Sequence, residues 1–339
     1  MTAQYDVLGI GNAIVDVIAR AEDDFLVAHN LVKGSMQLID AARADALFAA
    51  LGPVTWVSGG SAANTVAGLA SLGAKPAFIG KVKDDEAGRR FGHDIRSLSV
   101  AFPTAPAADG PATAVCLIVV TPDGERTMST YLGASRHLTV ADIHRETVEA
   151  AAITYLEGYL WDPEEAKEAF VAASAIAHNA GRDVALTLSD AFCVERFRGE
   201  FLNLLRTQAV DIVFANETEL KSLYETSDFD AAVEALREED LLGVVTRSEK
   251  GALVVTRDET IAVPAFPVAE VTDSTGAGDL FAAGFLFGLS HGLDLRTAAH
   301  HGGLAASHVI QHIGARPQKN LRQHAIDNGL PVEPPTGAA

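Results

Sequence analysis

The chain has 339 residues, 48% of them hydrophobic, and a formal net charge of −19 at pH 7. That length and apolar content suffice for one large globular domain or two ordinary ones, and they exclude a disordered polymer. The charge argues against nucleic acid or an anionic membrane as a partner, because binding their phosphates requires clustered Lys and Arg.

The first predicted element is a buried strand over residues 7–12, where an apolar run ends in a turn. The turn carries two glycines of a dinucleotide-binding fingerprint, but the third glycine is missing. Residues 14–18 that follow are mostly β-branched and favour a strand over a helix. The dinucleotide interpretation is therefore weak.

Further along the chain, predicted strands alternate with predicted helices. A Pro-Asp-Gly turn inside residues 114–132 joins two strand-like runs and predicts an antiparallel hairpin. The other predicted elements are helix 40–51 with N-cap Asp40, strand 55–57, a helix that ends near Gly73, strand 76–80, strand 153–156, helix 163–179, strand 184–188, helix 195–207, strand 210–215, helix 217–225, helix 229–238, strand 244–246 and strand 252–256. Such alternation favours a three-layer α/β fold, with a mainly parallel central sheet and helices on both faces.

Two segments do not fit this alternation. We expect residues 12–40 and 110–135 to pair into a small β-sheet lid over the active site. The core domain is then discontinuous and consists of residues 1–11, 41–109 and 136–330. Residues 331–339 are rich in Pro, with Gly and Thr, and are predicted to be a disordered tail.

The most informative stretch is the turn at residues 273–279, Asp-Ser-Thr-Gly-Ala-Gly-Asp. Its glycines let backbone N–H groups point toward one centre, and the predicted helix that follows adds the positive end of its dipole. Such a turn is suited to binding phosphate. A carboxylate there would repel an anion unless it takes a proton from the group that attacks the phosphate, so Asp279 is the predicted general base. A simple capped helix N-terminus is the alternative.

A second set of polar residues lies in the N-terminal part of the chain. Asp16 has apolar neighbours, among which an unpaired carboxylate would be costly to bury. A carboxylate accepts two hydroxyl hydrogens, and Asn both donates and accepts, so Asp16 with Asn64 suits a vicinal diol. An exposed Asp16 at a turn or strand edge is the alternative. The residues predicted to surround the substrate are Asn12, Asp16, Gly59, Gly60 and Asn64.

The turn at 273–279 resembles the Asp-Thr-x-Gly-Ala-Gly-Asp signature of the ribokinase-like, or PfkB, family of sugar and nucleoside kinases. Residues 11–16 and 59–64 resemble the N-terminal motifs of the adenosine-kinase branch of that family. The resemblance implies a ribokinase-like fold with Asp279 as the catalytic base. It also implies that the amides of Gly276, Ala277 and Gly278 form the anion hole.

The same resemblance implies that Asp16, Gly60 and Asn64 hold the ribose 2′- and 3′-hydroxyls, with the 5′-hydroxyl directed at Asp279. An adenine ring needs flat apolar walls with a few polar edges. The residues proposed for these walls, each of which could equally be a core side chain, are Ile14, Gln37, Leu38, Ser61, Met128, Tyr159 and Trp161. Arg126 resembles a lid arginine that closes over the reacting phosphate, and a solvated surface arginine is the alternative.

The nucleotide donor is predicted to lie at the carboxyl edge of the sheet, where Asn216 and Glu219 can face one crevice. A capping box would give the same spacing without any chemistry. The pair matches the family's Asn-x-x-Glu motif. This match implies that the two residues bind phosphate and Mg²⁺, and that Glu219 contacts the Mg²⁺ through water. In the family's Thr-x-Gly-x-x-Gly turn, Ser248 replaces the first Gly. The other implied ATP-binding residues are Thr246, Arg247, Gly251, Thr275, Gly278, Gly303 and Ser307, with a place for K⁺ near Ser307.

The sequence thus predicts a kinase that uses ATP and Mg²⁺ to phosphorylate a nucleoside, with adenosine at O5′ preferred. A sugar kinase acting on ribose, fructose or a keto-deoxy acid is the alternative within this class. From different functional classes, a nucleotide-sensing protein without catalysis and a nicotinamide-dependent enzyme stay open. The two cysteines are far apart, and the sequence shows neither a signal-peptide pattern nor an apolar run of membrane length, so we expect a cytoplasmic protein. We expect it to be a monomer or homodimer, without nucleic-acid or membrane partners.

Overall fold

A computed structural model describes residues 3–334 of the chain. Its strands are, in chain order, β1 (Tyr5–Ile10), β2 (Ile14–Arg20), β3 (Met36–Leu38), β4 (Val54–Gly59), β5 (Pro76–Ile79), β6 (Ala114–Val120), β7 (Arg126–Tyr131), β8 (Ala151–Glu157), β9 (Asp183–Thr187), β10 (Ile212–Asn216), β11 (Leu242–Thr246), β12 (Ala252–Val255) and β13 (Thr260–Val263).

The helices, in chain order, are α1 (Asp23–Ala28), α2 (Ala41–Ala50), α3 (Ser61–Leu72), α4 (Glu86–Ser97), α5 (Arg145–Glu149), α6 (Glu164–Asn179), α7 (Ala191–Arg206), α8 (Glu217–Leu223), α9 (Phe229–Glu238), α10 (Ala277–Ser290), α11 (Leu295–Val309) and α12 (Leu321–Asp327). The Asp40 side chain accepts a hydrogen bond from the Arg43 amide, so the predicted N-cap of α2 is confirmed. Within residues 3–334, none of these helices combines the length and the apolar character that crossing a membrane requires.

The larger sheet has eight strands in the order β13-β12-β11-β10-β9-β8-β1-β5. The strands from β11 to β5 in that order run parallel, and β12 and β13 are antiparallel additions. Successive residues of β1 face opposite layers. Val7 belongs to the core cluster that contains Leu69 of α3 and Phe285 of α10, and Leu8 belongs to the cluster that contains Phe170 of α6. The predicted three-layer α/β architecture is confirmed. Strand β13 was not predicted.

The smaller sheet has five strands in the order β3-β7-β6-β2-β4. It contains the predicted hairpin, because β6 and β7 pair antiparallel, and β6 also pairs parallel with β2. The prediction placed residues 41–59 in the core, but β4 pairs with β2, and Leu47 of α2 packs beneath this sheet with Val17. The assignment of 41–59 was therefore wrong, because the pattern of a short strand does not identify its pairing partner.

The C-terminal segment is ordered further than predicted. His301 Nε2 donates to Pro331 O at 2.7 Å, and Val332 packs against the core. Disorder was thus wrongly predicted for residues 331–334, and residues 335–339 lie outside the described range.

Candidate active site

A cavity of about 970 Å³ lies between the carboxyl ends of the large-sheet strands and one face of the small sheet. Parallel α/β sheets commonly bind ligands at this edge. Polar side chains from distant parts of the chain line the cavity, namely Asp16, Asn64, Asp190, Glu219 and Asp279.

Asp279 lies in the first turn of α10, with its carboxylate in the cavity. Its Oδ1 accepts from Ser61 Oγ at 2.6 Å, and its Oδ2 accepts from Asn64 Nδ2 at 2.9 Å. Burial raises the pKa of Asp279 above its ordinary value, and the bonds from Ser61 and Asn64 and the charge of Arg316 oppose that rise. The result is an oriented carboxylate that is more basic than an exposed Asp, as a general base requires.

The turn before α10 presents open backbone donors. Gly276 adopts φ +79°, and a Cβ there would lie 2.6 Å from the Ala315 Cβ, so only glycine fits. The N–H groups of Gly276 and Gly278 have no hydrogen-bond acceptor among residues 3–334, whereas Ala277 N–H donates to Ser274 O at 3.2 Å. Two of the three predicted anion-hole amides are thus open, and the third closes the turn itself.

A buried ion pair joins the small sheet to this turn. Arg126 Nη1 contacts Asp273 Oδ2, and both side chains are only 7% exposed. Asp273 also accepts from Thr275 N and Gly314 N, each at 2.9 Å. Burial alone would raise the pKa of Asp273, but these hydrogen bonds and the Arg126 charge bring it below its ordinary value. Arg126 lines the cavity, so the solvated-surface alternative is wrong.

Asp16 faces the cavity without a partner. Its carboxylate accepts no hydrogen bond from any residue in the range 3–334, and a Cβ on Gly59 would lie 2.5 Å from its Oδ2. Burial raises the pKa of Asp16 to about 6, against the charges of Arg126 and Arg316, and Asp279 adds to the rise. Gly59 therefore makes room for a carboxylate whose acceptor positions are open to a ligand.

Glu157, at the end of β8, was missed by the sequence reasoning. It is 1% exposed and accepts from Asn12 Nδ2 at 2.7 Å and from Ala62 N at 2.8 Å. Burial raises the pKa of Glu157 to about 7, despite these hydrogen bonds. The residue ties the end of β1 to the first turn of α3, which carries Ser61. The sequence feature that could have identified Glu157 is its position directly after the apolar run 153–156.

Several of the predicted wall residues line the cavity. Ile14, Ser61, Met128 and Tyr159 line the cavity, together with Asn12, Gly60 and Thr130. In β3 the alternation places Met36 and Leu38 at the cavity, and Gln37 Nε2 instead donates to Ser129 Oγ at 3.3 Å.

Two aromatic residues behave differently from the prediction. Trp161 was wrongly assigned to the walls: it is 4% exposed, and its Nε1 donates to Glu200 Oε2 at 2.8 Å. Phe192, which was not predicted, lines the cavity, and the residue is 64% exposed.

On the donor side, Asn216 and Glu219 line the cavity but bind each other. Asn216 N donates to Glu219 Oε2, and Glu219 N donates to Asn216 Oδ1, both at 2.9 Å. The capping box proposed as the alternative is therefore present at the cavity wall. Burial raises the pKa of Glu219 to about 7; the bond from Asn216 opposes the rise and the nearby Asp190 adds to it.

The other predicted ATP-binding residues divide into two groups. Thr246, Thr275 and Gly278 line the cavity. Arg247 does not; its Nε lies 3.3 Å from Glu217 Oε2, and its guanidinium carbon lies 4.2 Å from the Phe229 ring centroid. Three further residues lie outside the lining, namely Gly251, Gly303 and Ser307.

Two local details qualify the predicted nucleotide turn and cation position. Ser248, in place of the family's glycine, adopts φ +51°, so the left-handed conformation is kept without glycine. Ser307 Oγ donates to Leu304 O at 2.8 Å inside α11, which gives the predicted K⁺ position no support.

The carboxylates suit Mg²⁺ only in hydrated form. Residues 3–334 contain no group of three His, Cys, Asp or Glu side chains arranged to hold a metal ion. Glu219 and Asp190 line the same cavity, and their mutual repulsion, which raises the pKa of Glu219, would be relieved by a cation. Because Mg²⁺ keeps several waters and is bound by one or two carboxylates plus substrate phosphates, this pair fits it.

Comparison with known proteins identifies relatives over most of the chain. The pfkB family carbohydrate kinase model matches residues 28–321. The structure is similar to adenosine kinase from Sinorhizobium meliloti, with TM-score 0.89 and 52% identity over 96% of this chain and 100% of that one. It is also similar to a probable sugar kinase from Rhizobium etli CFN 42, with TM-score 0.91 and 48% identity over 97% and 100% of the two chains.

Among curated proteins, fructokinase-1 from Oryza sativa subsp. japonica is 31% identical over 234 residues, which are 67% of this chain and 72% of that protein. The names of these relatives agree on kinase activity and differ in the acceptor. An alcohol group as phosphate acceptor and ATP as donor follow from the family.

Proposed function

Since the chain belongs to the pfkB family of carbohydrate kinases, we propose that it transfers the terminal phosphate of ATP to the 5′-hydroxyl of adenosine. The observation that carries the proposal is the position of the Asp279 carboxylate, which shares a cavity with the open amides of Gly276 and Gly278 and with the unpartnered carboxylate of Asp16.

The ribose is assigned to the Asp16 side of the cavity. The two carboxylate oxygens of Asp16 can accept hydrogen bonds from the 2′- and 3′-hydroxyls, which would compensate for the burial of this group. Asn64 contacts Asp279 from α3, so a sugar bound between Asp16 and Asn64 brings its 5′-hydroxyl toward the base.

We assign the adenine ring to the exposed apolar side chains of the cavity lining. Tyr159 and Phe192 are 40% and 64% exposed there, and Met36 and Leu38 are 49% and 60% exposed. Exposed aromatic and aliphatic side chains of this kind suit stacking against a planar heterocycle. A free hexose or pentose would leave them uncovered, which favours a nucleoside over a sugar. The adenosine kinase from Sinorhizobium meliloti supports the same choice.

In the proposed reaction, Asp279 accepts the proton of the 5′-hydroxyl as its oxygen forms a bond to the γ-phosphorus of ATP. The bond between that phosphorus and the β,γ-bridging oxygen breaks, and ADP leaves. The amides of Gly276 and Gly278 and the N-terminus of α10 stabilise negative charge on the transferred phosphoryl oxygens. Mg²⁺, when bound through water near Glu219 and Asp190, supplies further neutralisation of the donor phosphates.

The test is ADP release with adenosine, inosine, ribose and fructose as acceptors. Stacking contributes about 1–3 kcal/mol per base, so we expect kcat/KM for adenosine to exceed that for ribose by roughly 10- to 100-fold or more. Higher kcat/KM with fructose or ribose would instead establish a sugar kinase. The absence of turnover with every acceptor would support a nucleotide-sensing role without catalysis.

A matched pair of variants separates recognition of the adenine ring from recognition of the sugar. Phe192 lines the cavity, and we assign its ring to the heterocycle. Replacing Phe192 by Leu should therefore lower kcat/KM for adenosine and leave any turnover of ribose unchanged. The same substitution at Phe229, whose ring packs on Arg247 away from the cavity lining, is the control.

A further inference from the structure

Arg316 makes contacts that none of the roles assigned above explains. Its Nε donates to Asn64 Oδ1 at 2.9 Å, and its Nη2 donates to Ser58 O at 2.7 Å and to Ser58 Oγ at 3.0 Å. Ser58 N in turn donates to Asp94 Oδ2 at 2.9 Å. One guanidinium thus connects the segment after α11 to β4 of the small sheet and to α3.

Asn64 is the group through which Arg316 reaches Asp279. The two ends of a primary amide have similar shapes but opposite hydrogen-bonding character. A guanidinium only donates, so Arg316 holds Oδ1 of Asn64 and leaves Nδ2 to donate to Asp279 Oδ2 at 2.9 Å. The reversed amide would set oxygen against carboxylate and nitrogen against guanidinium. Arg316 therefore selects the orientation that holds Asp279.

The neighbours of Arg316 brace the same centre. Gly314 N donates to Asp273 Oδ2 at 2.9 Å, and Ala315 packs against Gly276, the residue that caps α10. Three successive residues, 314–316, therefore contact the start of the signature turn, the glycine that caps α10, and the amide that orients Asp279. Arg316 itself is not part of the cavity lining, so it positions Asp279 through Asn64 and otherwise acts on that carboxylate only through its charge.

We propose that Arg316 is a positioning residue, which fixes the Asn64 amide and thereby the orientation of the Asp279 carboxylate toward the acceptor hydroxyl. The proposal rests on the proposed role of Asp279 as the base. Burial lowers the pKa of Arg316 to about 10, against the charges of Asp94, Asp16 and Asp279, so the guanidinium stays charged at neutral pH.

The first test replaces Arg316 by Met, which keeps much of the volume and removes the donors. We expect kcat to fall roughly 10- to 100-fold, the worth of one hydrogen bond to a charged group, with KM for ATP changed by less than about threefold. The same substitution at Arg145, which is exposed on α5 and pairs with Glu149, is the matched control and should leave kcat unchanged.

The pH profile distinguishes positioning from a general loss of structure. Removing Arg316 deletes a positive charge that opposes the raised pKa of Asp279, so the acidic limb of kcat should move to higher pH. The groups that interact electrostatically with Asp279 and remain in the variant are Asp16, Tyr155, Glu157 and Tyr159. A folded Arg316→Met variant with wild-type kcat and an unmoved acidic limb would overturn the proposal.

A double-mutant cycle tests the route through Asn64. If Arg316 positions Asp279 through that amide, Arg316→Met should cause little further loss of kcat in an Asn64→Leu background, measured at a pH above the acidic limb. Additive losses would contradict the proposal.

Two controls complete the design. If Arg316→Met does not fold, Arg316→Lys decides, because a lysine cannot hold Asn64 and Ser58 in one fixed fork. We then expect kcat to fall about three- to tenfold with the acidic limb close to its wild-type position, because lysine keeps the positive charge; wild-type kcat would overturn the proposal. Asp279→Asn, measured in parallel, separates the failures, since wild-type turnover in that variant would remove the base role itself.

Discussion

We assign Asp16 to the acceptor side of the cavity, with the amides of Gly276 and Gly278 beside the reacting phosphate, and Asn216 and Glu219 to the donor side. Within residues 3–334, Asp16 accepts no hydrogen bond, and the two amides have no acceptor. On the donor side, Asn216 and Glu219 satisfy each other in a capping box, and Arg247 pairs with Glu217. The two halves share one cavity but differ in whether their polar groups are available.

We therefore expect the acceptor half to be preorganised and the donor half to exchange internal contacts for contacts with the nucleotide. Carboxylates on the acceptor side are already desolvated, since burial raises the pKa of Asp16 to about 6 and that of Glu157 to about 7. A hydroxyl donor would recover part of that unfavourable energy on binding. Substitutions in the acceptor half should therefore lower turnover strongly, whereas Arg247 in the donor half should matter little.

The largest expected effect comes from Asp279→Asn. The amide keeps the shape and a hydrogen-bonding oxygen but cannot take the proton of the hydroxyl. Turnover should fall by roughly 100- to 10,000-fold, the usual contribution of a general base. Calorimetric titration with a non-hydrolysable ATP analogue should show nearly unchanged affinity. Turnover at the wild-type rate would show that Asp279 is not the general base, and the expected sensitivity of the acceptor half would lose its main support.

Asp16→Asn should have the next largest effect. Losing hydrogen bonds to a charged acceptor should lower kcat/KM for adenosine by roughly 10- to 100-fold. With 2′,3′-dideoxyadenosine, which lacks both hydroxyls, the same substitution should change kcat/KM much less. Equal losses for the two acceptors would show that Asp16 does not bind the diol.

Glu157→Gln tests the energetic cost of burying this carboxylate, through the pH dependence of protein stability. Because burial raises the pKa of Glu157 from 4.5 in the unfolded chain to about 7, the folded protein binds more protons between these pH values. The free energy of unfolding should therefore decline as pH rises from about 4.5 to about 7, by up to roughly 3 kcal/mol for this group.

The variant should show a flatter decline in urea denaturation measured between pH 5 and pH 7. Only part of the slope should disappear, because the pKa values of Asp16 and Glu219, about 6 and about 7, are raised by burial into the same window. A constant offset from the lost hydrogen bond to Ala62 does not affect the slope. Parallel curves for variant and wild type would contradict the assigned pKa.

The smallest effect is expected for Arg247→Met. The side chain is bound to Glu217 and Phe229, and a partly exposed ion pair contributes about 0–1 kcal/mol. KM for ATP should change by less than about fivefold in steady-state assays. A rise beyond about tenfold would mean that Arg247 leaves Glu217 to bind nucleotide, so that the donor half contributes a charge after all.

Much of the fold and part of the candidate site could be predicted from the sequence, because these features depend on local sequence patterns. The alternation of strands and helices predicted the three-layer core, and the glycine turn predicted a helix N-terminus with the Asp279 carboxylate beside it, which the structure places at the cavity. These features depend on residues that are neighbours in the chain. The capping box of Asn216 and Glu219 is equally local and was named as an alternative.

The remaining features depend on contacts between distant segments. Arg126 and Asp273 are 147 residues apart, and Arg316 and Asn64 are 252 residues apart. The choice between Met36 and Gln37 as a cavity residue depends on the register of β3 against β7, where one residue reverses the face. The pairing of β4 with β2 is also a long-range fact, which no local pattern of residues 54–59 expresses.

The position of the transferred phosphate tests the central claim most directly. Phosphorus NMR of the product formed from adenosine and ATP should show one monoester, coupled to the 5′ protons of the ribose, and 5′-deoxyadenosine should yield no product. A phosphate on the 2′- or 3′-oxygen, or turnover of 5′-deoxyadenosine, would contradict an acceptor hydroxyl placed against Asp279 by Asp16 and Asn64.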